Sequence, residues 1–518
     1  MSTATSPVYY DPYKVEITAD PYPVFRRLRE EAPLYYNEEH DFYAVSRFAD
    51  VEKGLADKET FISGRGAIVE IIKANAEFPP GVLIFEDPPI HTAHRGLLQR
   101  LFTPKRMVSL EDKVREYCIA CLDPLVGSKS FDFIADLGAK MPMRVIGMLL
   151  GIPEEDHESV RQRVDATMRT EAGKPMSHDS ANYGQGFEDY IDWRIKHPSD
   201  DVITELLTTE FKDETGSMRR ATRDEVLTLV NVLAGAGNET TNRLIGWTGK
   251  VLAEHPDQRR QIVADRALIP QTIEEILRFE PPAPHVARYI NRDVEIHGRR
   301  IAAGNVMMFL SGSANRDDRR FENGDTFNIH REKRPHLAFG YGIHACVGAV
   351  LARLEGRIAL EEVLKRFPEW DVDLERATLS PTSTVRGWES MPAYVGQRPA
   401  ATKPAVAEPV AAAAPAPAAA TTIDGSWTIT VKGPTGAEST QLVLQNNGGK
   451  LSGTQSGRGM TADILDAKYD NGKISWINQI TKPMKMKVEF NGTVDGNTMS
   501  GKAKAGFIGS FPFTGTKD

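Results

Sequence analysis

The sequence is poor in cysteine, has no surplus of positive charge and begins without an apolar leader. Cys118, Cys121 and Cys346 are the only thiols in 518 residues. That excludes a disulfide framework and any iron-sulfur cluster held by four cysteines of this chain. Lys and Arg number 63 against 71 Asp and Glu, for a formal net charge of −8. A surface that tracks phosphates normally carries basic excess, so the balance argues against a nucleic-acid partner. Met1 to Lys14 offer neither the apolar core of an export signal nor a run of about 20 apolar residues, so the expectation is a cytoplasmic protein with no membrane span. The length exceeds what one core usually serves, and two or more structural units are expected.

One stretch organises what is present. Phe339-Gly340-Tyr341-Gly342-Ile343-His344-Ala345-Cys346-Val347-Gly348 reads as a glycine-laced turn that presents a cysteine at the start of a helix. Ala349, Val350, Leu351, Leu354, Ile358 and Leu360 alternate with Arg353, Glu355, Arg357 and Glu361, as an amphipathic helix does. The free N–H groups and positive dipole end of that helix favour a thiolate at Cys346. Gly340 and Gly342 permit a tight loop, and Gly348 leaves room for a flat ligand to approach the backbone. A buried structural cysteine beside a turn is the plainer alternative. Cys118 and Cys121 fall with Leu110, Val114, Tyr117 and Leu122 on one helical face, and two thiols so placed with no second pair read as core.

A second signal lies upstream. Thr222-Arg223-Asp224-Glu225 is a capping box, and the apolar spacing then runs from Val226 to Val251 before His255-Pro256 ends it, a helix of about 32 residues and about 48 Å. Ala236-Gly237-Asn238-Glu239-Thr240 interrupts it with small residues followed by an acid and a hydroxyl. A glycine there costs about 1 kcal/mol relative to alanine, which points to a use for the space. On local grounds alone, Thr240 would bond back to the carbonyl four residues before it. His91 and Arg95 lie four apart on a helix and make a clamp for a carboxylate or phosphate, or else a polar face.

The cysteine stretch closely resembles the haem-binding signature of the cytochrome P-450 family, with every position of that pattern filled. The resemblance spans roughly residues 10 to 395 and implies a mainly α haem-thiolate fold with small β-sheets. It implies haem b as cofactor, Cys346 as the axial thiolate, and Phe339, Gly340, His344 and Gly348 as its surround. Asp87-Pro88-Pro89-Ile90-His91-Thr92-Ala93-His94-Arg95 is similar to the family segment whose His and Arg hold the haem propionates, a role that falls on His91 and Arg95, with Arg288 meeting a propionate from a strand. Ala236 and Gly237 would form the oxygen pocket, Thr240 would hydrogen-bond dioxygen and Glu239 would relay protons. Glu275, Arg278 and Arg331 match the family's buried ionic network, a scaffold feature.

The implied activity is monooxygenation of an apolar molecule of terpenoid, steroid, fatty or aromatic type. The apolar segment from Ile68 to Phe85 is expected to wall the substrate. No reductase is fused in cis, so a separate ferredoxin and ferredoxin reductase are expected, with Arg100, Lys105, Arg106, Arg353 and Arg357 as a basic docking face. A peroxide-driven peroxygenase and a haem protein that binds or senses lipophiles without turnover are the alternatives, and Glu239-Thr240 argues against the first.

Three segments are expected: a haem domain over 1–398, an Ala/Pro-rich linker over 399–421, and a β-rich domain over 422–518. Period-two stretches such as 427–431, 441–444, 473–476 and 484–490, separated by Asn, Asp and Gly turns, predict about eight short strands in an antiparallel barrel or sandwich, vaguely lipocalin-like. A lipophile carrier, a partner-docking module and an oligomerisation or solubility domain all remain open for it.

Overall fold

The computed structural model describes residues 8–168, 186–380, 384–395, 423–433, 436–447, 450–457, 460–470, 472–480, 486–505 and 509–517. The expected linker, 399–421, lies outside them. The chain divides into two compact units, Met1–Thr402 and Lys403–Asp518.

The first unit is mainly helical. Its axis is the helix Arg223–Glu254, 32 residues long, opened by the capping box of Thr222 and Glu225. Val226, Leu229, Val230, Leu233, Leu244, Trp247 and Val251 are buried along it, so most of its circumference faces protein rather than water. A helix that is apolar on nearly every side belongs at the centre of a domain, because no solvated face remains to be satisfied. Against it pack the helices Met141–Leu150, Ile269–Phe279 and Ala349–Arg366. Close approach is secured by glycine: a Cβ at Gly249 would sit 2.8 Å from the Phe133 ring and 2.9 Å from Met391.

A five-stranded sheet flanks this bundle in the order Leu34–Asn37, Phe42–Val45, Val306–Phe309, Val286–Ile290 and Phe61–Ile62. The first two strands form a hairpin, with Leu34 opposite Val45. Arg288 is carried on the fourth strand of this sheet, Val286–Ile290, opposite Met307 on the central one. Between the sheet and the bundle, the apolar segment after Gly66 contains a short helix, Val69–Ala74, and a helical turn, Leu83–Phe85, so it is more regular than its Pro and Gly content suggests. Cys118 and Cys121 are buried on Glu111–Leu122, as core residues. Among the described residues no helix is long and apolar enough to cross a membrane.

Among the described residues the second unit has nine strands in one antiparallel sheet, against about eight expected. Hairpins run in succession from Gly425–Gly433 to Met460–Asp463 and from Leu465–Asp470 to Gly509–Lys517, and the first strand pairs with the last. The open edges belong to consecutive strands, so the sheet curls into a nearly closed barrel. Trp427, Trp476, Phe490 and Phe513 fill its interior, with Trp476 stacked on Phe490 at 4.5 Å.

Candidate functional site

Cys346 lies on the turn immediately before the helix Ala349–Arg366. Its N–H donates to the Phe339 carbonyl at 2.8 Å, which closes the turn. Gly340 and Gly342 both have φ of +70°, and a Cβ on Gly342 would stand 2.6 Å from the Leu55 carbonyl oxygen. Glycine is therefore required there on conformational and steric grounds together. The Cys346 side chain is accessible, yet it sits deep enough for burial to push its thiol pKa up, opposed by the Gly348 N–H and by the charges of Arg95 and Arg353. Access combined with enclosure means that the sulfur faces an internal chamber. A Cβ at Gly348 would meet nothing nearer than that sulfur, at 4.0 Å, so the approach beside the thiol is open.

Four donor side chains gather near this thiol from three elements. His91 and Arg95 project from the helix Ile90–Leu101, His344 from the cysteine turn and Arg288 from the sheet. The rings of His91 and His344 lie 4.3 Å apart. Burial, then the charges of Arg288, His91 and Arg95, lower the His344 pKa to about 2, and burial followed by Arg95 lowers that of His91 to about 4. Arg288 is buried, bonds only the Ala287 carbonyl among the described residues, and is pulled down to about 10 by burial. Nε2 of both histidines is buried without a hydrogen-bond partner.

Buried charge is normally paired, and no carboxylate is in contact with any of the four donors among the described residues. Two carboxylates delivered by a ligand would complete the cluster, and a metal in the same ligand would meet the thiolate. The residues present therefore fit haem, with its two propionates and its iron.

On the long helix, Ala236 is exposed although Leu233, Ala234, Asn238 and Glu239 around it are buried. Ala236 and Thr240 thus face open space inside the domain, whereas Gly237, expected beside them, is turned to a neighbouring helix, where a Cβ would stand 3.3 Å from Ile146 Cδ1. Thr240 Oγ1 donates to the Ala236 carbonyl at 2.7 Å, the back-bonded state that its helical position favours. Glu239 points elsewhere: it is buried and ion-paired with Arg243, whose other contacts are Ser380 Oγ at 2.9 Å and the Trp388 carbonyl. Nothing in the sequence reading included Arg243, although its place four residues after Glu239 is the spacing at which helical ion pairs form.

The scaffold residues come together tightly. Both carboxylate oxygens of Glu275 accept from Arg278 at 2.7 Å and one also accepts from Arg331 at 3.0 Å. The expected basic docking face is different from its prediction. Arg106 is paired with Glu205 at 2.5 Å, Arg353 with Glu274 at 2.6 Å, and Arg357 with Glu111 at 2.6 Å and Glu361 at 2.8 Å. Acidic neighbours brought by the fold thus neutralise three of its five members, while Arg100 bonds the Glu210 carbonyl and neither it nor Lys105 has an acidic partner among the described residues.

An accessible thiol at a helix-opening turn, deep in a helical domain and beside donors that lack acidic partners, defines a haem-thiolate protein. Comparison with known proteins agrees: the family model Cytochrome P450 matches residues 187–386. Putative cytochrome P450 123 of Mycobacterium tuberculosis is 35% identical over 395 residues, covering 75% of this chain and 97% of that protein. Cytochrome P450 monooxygenase PikC of Streptomyces venezuelae is 32% identical over 385 residues, covering 73% and 91%. The crystal structure of CYP109E1 from Bacillus megaterium in complex with testosterone superposes with a TM-score of 0.67 at 28% identity, over 74% of this chain and 99% of that one. The chain belongs to the cytochrome P450 family, and with the family come haem b and the activity of an oxidoreductase of the monooxygenase type.

Proposed function

We propose that the protein inserts one atom of dioxygen into an apolar small molecule of terpenoid, steroid, fatty or aromatic type, with electrons from a separate ferredoxin and ferredoxin reductase. The observation that carries the haem-thiolate part is the cluster of His91, Arg95, Arg288 and His344 beside the Cys346 thiol, four donors with no acid among them. Cys346 holds the iron through sulfur, and the four donors hold the propionates. Haem supplies the oxidising chemistry when bound. The chain's own residues bind, orient and move protons. Ala236 leaves space against the long helix, and Gly237 lets that helix approach Ile146 closely. Thr240 keeps its hydroxyl at the edge of that space, ready to exchange its bond to the Ala236 carbonyl for one to a ligand. Glu239 relays protons toward Thr240 once it is released from its ion pair with Arg243.

An apolar substrate is supported by the segment 67–85, where Ile71, Val82 and Phe85 are buried and pack with Ile68, Phe78 and Val232 of the long helix. That CYP109E1, a relative of the same fold, is in complex with testosterone, a large apolar molecule, supports the same reading. The division into compact units at Thr402 and Lys403 supports a haem domain over 1–398 and a β-rich domain over 422–518. The aromatic filling of the barrel supports a docking, oligomerisation or solubility role over a lipophile carrier.

The test is an absorption spectrum of the reduced, carbon-monoxide-bound protein, followed by turnover of a lipophile panel with added ferredoxin and reductase. A Soret band at the position of thiolate ligation that disappears in Cys346→Ala, together with oxygenated product, supports the proposal. Haem-loaded protein without that band removes Cys346 as the ligand and the mechanism with it.

A further inference from the structure

The helix Ile90–Leu101 carries a second buried group, which the proposed chemistry does not use. His94 has no exposed surface. Its Nδ1 lies 2.9 Å from both oxygens of Glu86, and its Nε2 makes an ionic contact with Glu225 at 3.4 Å. Glu86 is itself held, its Oε1 accepting from the Gly81 N–H at 2.7 Å. Glu225 closes the capping box of the long helix and takes two bonds of 2.7 Å from Arg219. The Phe211 ring stands 6.1 Å from the imidazole and carries the Arg219 guanidinium 4.9 Å above it. The charged or titratable groups facing His94 among the described residues are therefore Glu86, Glu225, Arg219 behind it, and His91 on its own helix.

Two buried carboxylates beside one imidazole and one guanidinium balance only when the imidazole is charged. Burial opposes that charge, but the hydrogen bond and charge of Glu86, then those of Glu225, raise the His94 pKa above its ordinary value. The contacts join three elements: the segment ending at Glu86, the helix bearing His94, and the first turn of the long helix. That segment rests directly on the turn, since a Cβ at Gly81 would stand 3.0 Å from Thr228 Cβ and 3.1 Å from the Glu225 carbonyl oxygen.

We infer that His94 is a positioning residue for the substrate chamber: as an imidazolium it clasps Gly81–Glu86, through Glu86, to the first turn of the long helix, through Glu225, and so sets how freely the apolar wall Val82–Phe85 opens. The inference rests on the proposal that this segment walls the substrate. Because the folded pKa is raised, the clasp is complete below the unfolded value of about 6.5 and is lost as pH rises through the raised value. Opening is therefore an alkaline event.

The experiment uses the full-length haem-loaded protein and its His94→Gln and Glu86→Gln variants from neutral to alkaline pH. Hydrogen exchange of the Val82–Phe85 amides, corrected for its intrinsic pH dependence, reads the clasp. The rate at which phenylimidazole reaches the iron reads the chamber. In the unsubstituted protein both accelerate on the alkaline side by about tenfold, the size expected for losing a charge-assisted hydrogen bond, while His94→Gln is fast throughout and flat with pH. Glu86→Gln is also fast at neutral pH. A pH break that survives in His94→Gln, or equal protection of the segment in all three proteins, overturns the inference. Exchange that opens as expected while phenylimidazole association stays flat overturns the role in access and the wall assignment together. A missing thiolate-haem spectrum would strike the proposed function alone, because exchange still reads the clasp.

Discussion

The ion pair of Glu239 and Arg243 allows a prediction whose size follows from its surroundings. The side chains are 7% and 5% exposed, so water cannot replace either partner. Among the described residues, Glu239 has no other hydrogen-bond partner, whereas Arg243 also holds Ser380 Oγ and the Trp388 carbonyl. Arg243→Met keeps most of the volume but strands a buried carboxylate, and breaking a buried pair in this way costs about 3 to 5 kcal/mol. Glu239→Gln leaves the guanidinium with two oxygen acceptors and falls at or below the lower end of that range. The double variant removes both charges, so it should be less destabilised than the two singles added together, by about 1 to 3 kcal/mol of coupling. Urea unfolding of the haem-loaded protein at neutral pH measures all four proteins on one scale. Strict additivity of the two substitutions would refute the claim that the pair acts as a unit.

Three other outcomes follow from the same geometry. Cys346→Ser should lose the thiolate Soret position while keeping its far-ultraviolet circular dichroism, because the turn is closed by the Cys346 backbone and not by its sulfur. Glu275→Gln should destabilise the first unit by about 3 kcal/mol in urea, since Arg278 and Arg331 would then share a neutral acceptor in a place where the Glu275 side chain is 2% exposed. His91 has a folded pKa of about 4, below the unfolded value of about 6.5, so the ligand-free folded chain binds fewer protons between those values. Its stability accordingly falls as pH drops through that window, by about 2 kcal/mol at pH 5, and His91→Gln should show a correspondingly smaller loss when urea midpoints at pH 7 and pH 5 are compared.

The sequence was legible where local chemistry and structure coincide. The capping box fixed the start of the long helix to the residue, and His255-Pro256 fixed its end, because a cap and a proline act on their own neighbours. The glycines of the cysteine turn announced a backbone that only they adopt, and Gly342 has both the positive φ and the close carbonyl. Partnerships between distant residues were not legible. Arg357 reads as a surface cation in sequence, yet it meets Glu111 from another helix. His94 reads as a companion of His91, but a segment eight residues upstream and a helix 131 residues downstream supply its two acids. The strand Leu465–Asp470 carries a weak signal in sequence because its register slips along its partner, which breaks the alternation that marks a strand.

The distribution of acids in the first unit bears on why the donor cluster is a binding site rather than an unfavourable accident of packing. Arginines elsewhere in the first unit are supplied with carboxylates: Arg115 takes Glu111, Glu361 and Glu362, Arg353 takes Glu274, and Arg278 shares Glu275 with Arg331. His94, three residues from His91, has an acid on each side. Against that pattern His91, Arg95, Arg288 and His344 have no carboxylate in contact among the described residues, in one place, beside an accessible thiol. Each unpaired donor makes the ligand-free fold less stable, and a ligand bearing carboxylates relieves that penalty on binding, so the site's instability and its affinity have the same origin. Substituting Arg288 by Met should therefore stabilise the ligand-free chain while weakening haem retention. A variant that lowered both would show that Arg288 serves packing alone.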